Sequence, residues 1–454
     1  LNLSRKLFLT ICLVALGGCV AYHPKPLDLQ ARLPSEIPRL TVDPATLHLP
    51  HLAPHRFNPC DGLDSTEIAV LAVVNNPELR AARDAVGVAR AQAFAAGLLP
   101  DPQLGASLDF PTNSLPGSTF TGYSFGLNYD LNALLTRDVA QSAALAGARK
   151  ADLDLLWKEW QVASRARLLF ARTREQDLLM TVLQGYRKLL ASRYDRVRQA
   201  LNEGNATLGA ADADLAALQD VERQINDLER EKNKNRHELD QLLGLSPQVQ
   251  LRLVGGVDLS PVDEARVKAL IPGLARRRPD LLALQAGYRS QDLHYRQAIL
   301  EQFPALNVGL NRASDTSNVH TLGVGITLSL PLFNRNRGTI AVEKATRQQL
   351  YDEFETRLVT ARATISELLG DQRLLEAQIS RITKTLPSLE EAAKRAREAF
   401  DAGDIDETTY ITLQSSLVNK RIEAIKLEQS GLEQRLGLQT LLGSELPVQQ
   451  ETTP

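Results

Sequence analysis

Thr321–Arg347, TLGVGITLSLPLFNRNRGTIAVEKATR, decides the fold of this chain. Its first part alternates: Leu322, Val324, Ile326, Leu328 and Leu330 are apolar, with Gly323, Gly325, Thr327 and Ser329 between them. A period of two over about ten residues predicts a strand with one greasy face and one small or polar face. That length suits a strand crossing a bilayer in a β-barrel, apolar side to lipid. Pro331 stops the ladder because it has no N–H to donate. Phe333 is placed for the interface, with Arg335 and Arg337 in water beyond it. After Gly338 a helical period takes over and runs for tens of residues. A membrane strand that feeds directly into a very long helix is an uncommon junction.

The helix carries its own signature. Phe354, Leu358, Ala361, Ile365, Leu368, Gln372, Leu375, Ile379, Ile382, Leu386, Leu389, Ala393, Ala396 and Phe400 alternate steps of four and three, with one polar member. This is the a/d seam of coiled-coil packing. A helix from Gly338 to Ala402 is ~95 Å long at 1.5 Å per residue. One core cannot use a rod of that length, whereas many rods packed side by side can. Leu386-Pro387 interrupts the rod, so a kink or break is expected there.

The pattern occurs twice. Asn76-Pro77-Glu78-Leu79 answers Arg278-Pro279-Asp280-Leu281, and Leu99-Pro100 answers Phe303-Pro304. Glu203-Gly204 answers Ala402-Gly403, and Leu242-Leu243-Gly244 answers Leu441-Leu442-Gly443. A unit of about 200 residues is a tandem structural repeat, far longer than a solenoid period. Leu155, Val162, Ala166, Leu169, Met180, Leu183, Leu190, Tyr194, Val197 and Leu201 reproduce most of the helical seam in the first half. Each half reads helix, strand, strand, very long helix, turn, helix. The other expected strands are Gln103–Phe110, Gly122–Leu131 and Ala305–Arg312, and the fourth is Thr321–Leu330. Gly204 and Gly403 mark the hairpin tips, since glycine takes the left-handed conformation that ends a helix.

The segments follow from this: a signal over 1–18, a proline-rich extended stretch over 19–62, and a first repeat over 63–245. A linker over 246–265, a second repeat over 266–446 and a polar tail over 447–454 complete the chain. The fold class is mainly α with a small β part. Four strands cannot close a barrel, because single-chain barrels begin at eight, and lipid does not tolerate an open sheet edge. The chain must therefore oligomerise if its strands span. Two copies would enclose only side chains, and three would enclose a lumen.

The junction resembles the outer-membrane efflux channels of the TolC family, and Leu330-Pro-Leu-Phe-Asn-Arg-Asn-Arg-Gly338 is most similar to the CzcC-like heavy-metal branch. The resemblance covers nearly the whole mature chain. It implies a homotrimer with a twelve-stranded β-barrel in outer-membrane lipid and a periplasmic α-barrel of long antiparallel coiled-coil helices. Such a duct has no energy source of its own. A periplasmic adaptor (membrane fusion) protein and an inner-membrane resistance-nodulation-division type transporter are therefore implied as partners.

The N-terminus agrees. Arg5 and Lys6 precede an apolar Leu7–Leu16, and Leu16-Gly17-Gly18-Cys19 resembles a bacterial lipobox. That implies cleavage before Cys19, lipidation of its thiol and, with Val20 following, an outer-membrane address. Cys12 leaves with the signal, so Cys60 has no intramolecular partner and there is no disulfide scaffold. Prolines 24, 26, 34, 38, 44, 50, 54 and 59 keep the next stretch extended. His48, His51 and His55 within it are metal-ligand residue types, but their spacing matches no standard zinc site and a proline-rich strap gives no rigid support. A solvated linker is the better reading.

Chemistry is scarce. A net charge of -2 points to no nucleic-acid partner. There is no phosphate-binding glycine loop, and His237, His294 and His320 have no neighbours at metal or triad spacing. Neither an enzyme nor a cofactor is expected. The family's helical tips constrict the pore, and carboxylates there attract cations. Its usual Val-Leu-Asp is replaced here by Tyr410-Ile411-Thr412, so that Asp does not carry over. Instead Asp404, Asp406 and Glu407 crowd the second tip, with Asp212 and Asp214 near the first. Multiplied by three they make a candidate acidic ring for cation selectivity. The competing role is that of acids favouring the first turn of a returning helix. The leading function is an exit duct of a tripartite efflux pump, with heavy-metal cations as candidate cargo. Two alternatives stay open: a duct for organic compounds or secreted polypeptide, and a lipid-anchored periplasmic coiled-coil scaffold.

Overall fold

The computed structural model describes residues 22–30, 33–37, 57–58, 61–112, 120–256 and 261–443. The signal, Cys19, His48, His51, His55, Cys60 and the tail lie outside them. The chain divides into two compact units, Leu1–Pro34 and Ser35–Pro454. In the first, the described residues form no helix or strand, and the Gln30 N–H donates to the Asp28 carboxylate (2.9 Å).

In the second unit, Asp64 opens α1 (Ser65–Asn75) with a capping box. Its carboxylate accepts from the Thr66 and Glu67 N–H groups (2.7 and 2.8 Å), and Glu67 accepts from the Asp64 N–H (3.0 Å). Ile68 through Val73 is buried all round, as suits a helix wedged among others. Asn76 then caps α2 (Pro77–Ala96), whose first position is Pro77, where a missing N–H costs nothing. β1 (Gln103–Asp109) and β2 (Gly122–Asp130) follow. The Asp130 carboxylate accepts from the N–H groups of Asn132 and Ala133, so α3 (Leu131–Asn202) starts on the residue after the strand. With 72 residues, α3 is ~108 Å long at 1.5 Å per residue. α4 (Leu208–Leu242) returns along it.

The second repeat follows the same plan. α5 (Glu264–Leu270), a 3₁₀ turn over Ile271–Arg276 and α6 (Pro279–Leu300) lead to β3 (Ala305–Ser314) and β4 (His320–Ser329). α7 (Arg337–Ala402) and α8 (Glu407–Leu442) close it. All fourteen seam residues of α7, from Phe354 to Phe400, are buried or half-buried, while most positions between them are exposed.

Of the kink or break expected at Pro387, the break does not occur: α7 is one helix of 66 residues that runs through the proline. Proline removes one helical hydrogen bond and crowds the carbonyl four residues back. Ile382 is buried and Leu386 and Leu389 are half-buried around it, so the seam holds on both sides. The Thr383 and Thr385 hydroxyls bond back to the carbonyls of Ile379 and Arg381 (both 2.9 Å), a local adjustment common where helices bend. Packing along the rod outweighs a penalty of about 3 kcal/mol.

The duplication reaches individual hydrogen bonds. Asn76 Nδ2 donates to the Leu242 carbonyl, and Arg278, at the same repeat position, donates to that of Leu441. Arg83 donates to the Val73 carbonyl (2.7 Å), and Gln285 donates to that of Ala275 (2.6 Å). Gly244 (φ +61°) packs against the Asn75 carbonyl and Pro77, and Gly443 (φ +67°) against the Arg277 carbonyl and Arg278. The cores match too. Ala166, Leu239 and Leu243 sit with α1 in the first, and their counterparts Ile365, Leu438 and Leu442 sit with α5 in the second. The linker is stitched down: Leu253 bridges Leu63 in parallel, and Leu245 and Val249 join the first core.

Candidate functional site

The four strands form one antiparallel sheet in the order β1-β2-β3-β4, with the repeats joined through β2 and β3. The pairing sets the two faces. Leu104 lies opposite Leu127, Leu127 opposite Leu310, and Leu310 opposite Val324. The same face carries Leu108, Tyr123, Phe125, Tyr129, Val308, Ile326 and Leu328, with Arg312 towards one end. The other carries Gly105, Ser107, Ser124, Gly126, Asn128, Asn307, Gly309, Asn311, Gly323, Gly325 and Thr327. Every β4 residue is exposed, Ile326 at 66% and Leu322 at 81%. A soluble hairpin would cover such a face with a core; among the described residues nothing covers this one. β1 and β4 are the sheet edges, each with one side unpaired among the described residues of the protomer.

At the far ends of the long helices, both tips close as the glycines require. Gly204 has φ +76° and Gly403 φ +81°. The Asn205 N–H reaches back to the Ala200 carbonyl (2.7 Å) and the Asp404 N–H to that of Ala399 (2.8 Å), the six-to-one bond of a Schellman ending. Met180, Leu183 and Leu190 of α3, Val221, Ile225 and Leu228 of α4, and Ala396, Tyr410 and Ile411 of the second hairpin form one core. Both tips therefore lie at the same end.

The structure separates the tip acids by role. Asp406 is the N-cap of α8: it accepts from the Thr409 N–H (2.8 Å), and that bond holds its carboxyl below the usual range. Thr207, at the same repeat position, caps α4 in the same way without a charge. Glu407 accepts from Arg196 Nε (3.0 Å), which ties the second tip to α3 of the first repeat. Asp214 is buried and paired with Arg193 (2.9 Å). Asp404 and Asp212 are exposed. Sequence reasoning missed the two arginines; their spacing of three beside the seam put them on one helical face, but not which hairpin they would reach.

It also missed a carboxylate cluster midway along the rods. Glu175 on α3 is 8% exposed, and its Oε2 has no hydrogen-bond partner among the described residues. Burial first, then Glu428 and Glu433, push it up to about 8, against the pull of Arg172. Arg172 Nε meanwhile donates to Glu433 (2.7 Å). Burial likewise raises Glu428. Among the described residues no group of three or more histidine, cysteine or acidic side chains is placed to hold a metal ion. Among them, too, no helix is long and apolar enough to cross a membrane.

A sheet with one bare apolar face, continuous with helices of this length, has the architecture of an outer-membrane channel protomer. Comparison with known proteins agrees. Residues 270–444 match the family model described as outer membrane efflux protein. The chain is 24% identical to the cobalt-zinc-cadmium resistance protein CzcC of Cupriavidus metallidurans, over 92% of this chain and 94% of that one. It is 23% identical to the probable outer membrane lipoprotein SilC of Salmonella typhimurium, over 82% and 84%. The crystal structure of the Campylobacter jejuni CmeC outer membrane channel superposes with a TM-score of 0.71 at 16% identity, covering 87% of this chain and 88% of that one. The second repeat is therefore similar to outer membrane efflux proteins, and nearly the whole chain is similar, at 24% identity, to CzcC.

Proposed function

We propose that three copies of this chain close a twelve-stranded barrel in the outer membrane and continue it across the periplasm, as the exit duct of a tripartite pump for metal cations. One observation carries the reading: the exposed apolar sheet face with two unpaired edges, joined without a loop to α3. A periplasmic scaffold has no use for that face, and lipid does not tolerate those edges unless other copies pair them. The cargo class follows the metals in the name of the CzcC relative. Energy must come from an inner-membrane transporter, coupled through a periplasmic adaptor. The acidic second tip, present three times in a channel, suits a cationic cargo.

Deletion of the gene tests the cargo. Tolerance to cobalt, zinc and cadmium should fall, while tolerance to dyes and antibiotics stays unchanged. Sensitivity to organic compounds alone would overturn the metal assignment.

A further inference from the structure

One residue interrupts the apolar face of the sheet. Arg312 on β3 lies between Phe125 on β2 and Leu322 on β4, and it is exposed. One step nearer the strand ends, the same face carries Tyr123, Ser314 and His320. Among the strand residues of that face, Arg312 is the one arginine, lysine or acid. We propose that Arg312, with Tyr123 and His320, forms a binding site for the phosphate of an outer-leaflet glycolipid, repeated three times around the channel. The inference rests on the channel reading and deepens it.

Position is the first support. The helices join the sheet at Asp130, Ala305 and beyond Ser329, so the strand ends at Asp109, Gly122, Ser314 and His320 lie farthest from them. With the helices in the periplasm, those ends face the outer leaflet. Arg312 is ~23 Å along its strand from Ala305, at ~3.3 Å per residue. In a tilted strand that places it in the outer third of an apolar band ~25 Å tall. A long apolar stem then carries the guanidinium to the level of the phosphates. At the helix end the same face has Leu127, Tyr129, Leu306 and Leu328, with no cation. The charge therefore marks one leaflet.

The second support is what the three polar heads lack. Among the described residues, the Arg312 guanidinium, the Tyr123 hydroxyl and the His320 ring nitrogens make no hydrogen bond or ion pair. In the β3–β4 turn, the Asp315 carboxylate already accepts from the Ser317 and Val319 N–H groups (2.8 and 2.9 Å). The connection between β1 and β2, FPTNSLPGSTFT over 110–121, contains no acid. Nor does the strand pattern require a charge. Gly105 with Gly126 answers Gly309 with Gly325 between the repeats, so the counterpart of Arg312 is Leu108. A guanidinium presents a planar fork that matches phosphate oxygens, and phosphate would offset the cost of a charge on a lipid face. The Tyr123 ring lies 5.7 Å from that of Phe125 and 6.5 Å from that of His320. These rings form a rim beside Arg312 of the kind that sits at headgroup level.

Binding of bisphosphoryl lipid A to the full-length trimer in non-ionic detergent tests it, with native mass spectrometry counting up to three molecules per trimer. Wild type should bind at least about tenfold more tightly than Arg312→Gln, the loss expected for a charge-assisted bond. Arg312→Lys should keep part of the affinity, and Arg362→Gln on α7 all of it. Because Arg312→Gln takes a charge off the lipid face, insertion and trimer yield should not fall. Equal binding by wild type and Arg312→Gln would overturn the site and leave the channel standing. Displacement of the lipid by equimolar inorganic phosphate would make it a free-anion site and overturn the lipid assignment. Recovery of the wild-type chain as a soluble monomer would overturn the channel reading, and the site with it.

Discussion

Glu175 faces Glu428 and Glu433 across the α3–α8 contact, with Arg172 as the opposing charge. A carboxyl whose folded pKa exceeds its unfolded value binds more protons when folded, so its contribution to stability declines as pH rises between the two values. Here that window runs from the ordinary value of 4.5 to about 8. Glu175→Gln should therefore stabilise the protein at pH 8.5 by ~2 kcal/mol, after allowance for solvent screening, and change little at pH 5. Melting in detergent at both pH values checks it; equal shifts would mean packing rather than charge. At the tips, Asp404→Asn/Asp406→Asn/Glu407→Gln should keep the trimer intact and lower the cation preference of planar-bilayer conductance. Glu407 already spends part of its field on Arg196, so Asp404 and Asp406 should carry most of the change. Asp212→Asn/Asp214→Asn should do less, since Arg193 already neutralises Asp214. Unchanged selectivity with normal trimer yield would leave these acids as helix-start residues.

Each strand owes its role to a face. Ile326 and Gly325 are neighbours in β4 that point to opposite sides of the sheet. Ile326→Arg places a charge on the lipid side, at about 2–4 kcal/mol near the bilayer midplane, and should impair insertion. Gly325→Arg points to the lumen; nothing lies within 4 Å of a side chain added there. That variant should insert normally and narrow the pore, seen as lower single-channel conductance. Equal insertion defects in both would contradict the faces set by the pairing.

At the scale of the molecule, the proposed reading makes anchoring and spanning separable. In the proposed channel, twelve strands in lipid would bury far more apolar surface than acyl chains on Cys19 would. Cys19→Ala with a working signal should therefore still fractionate with outer membranes as a trimer. The variant has no acyl chain, so a scaffold held by lipid alone would be released into the periplasm. Recovery of the variant as a soluble protein would favour that scaffold.

Local periodicity made most of this fold legible in the sequence. The alternation in Thr321–Leu330 gave the membrane strand to within a residue of His320–Ser329. The four-three spacing from Phe354 to Phe400 gave the buried seam of α7, and two glycines gave both tips. Such signals are local because face, period and handedness belong to a few neighbouring residues. Contacts between distant segments were not legible. Pro387 sits inside an unbroken helix because residues from other helices hold the seam on both sides, which no reading of its neighbours could weigh. Arg193 and Arg196 meet the tip acids, and Glu175 meets Glu428 and Glu433, only once the two hairpins lie side by side. Charge pairing depends on distance in space, and tertiary packing alone decides that distance.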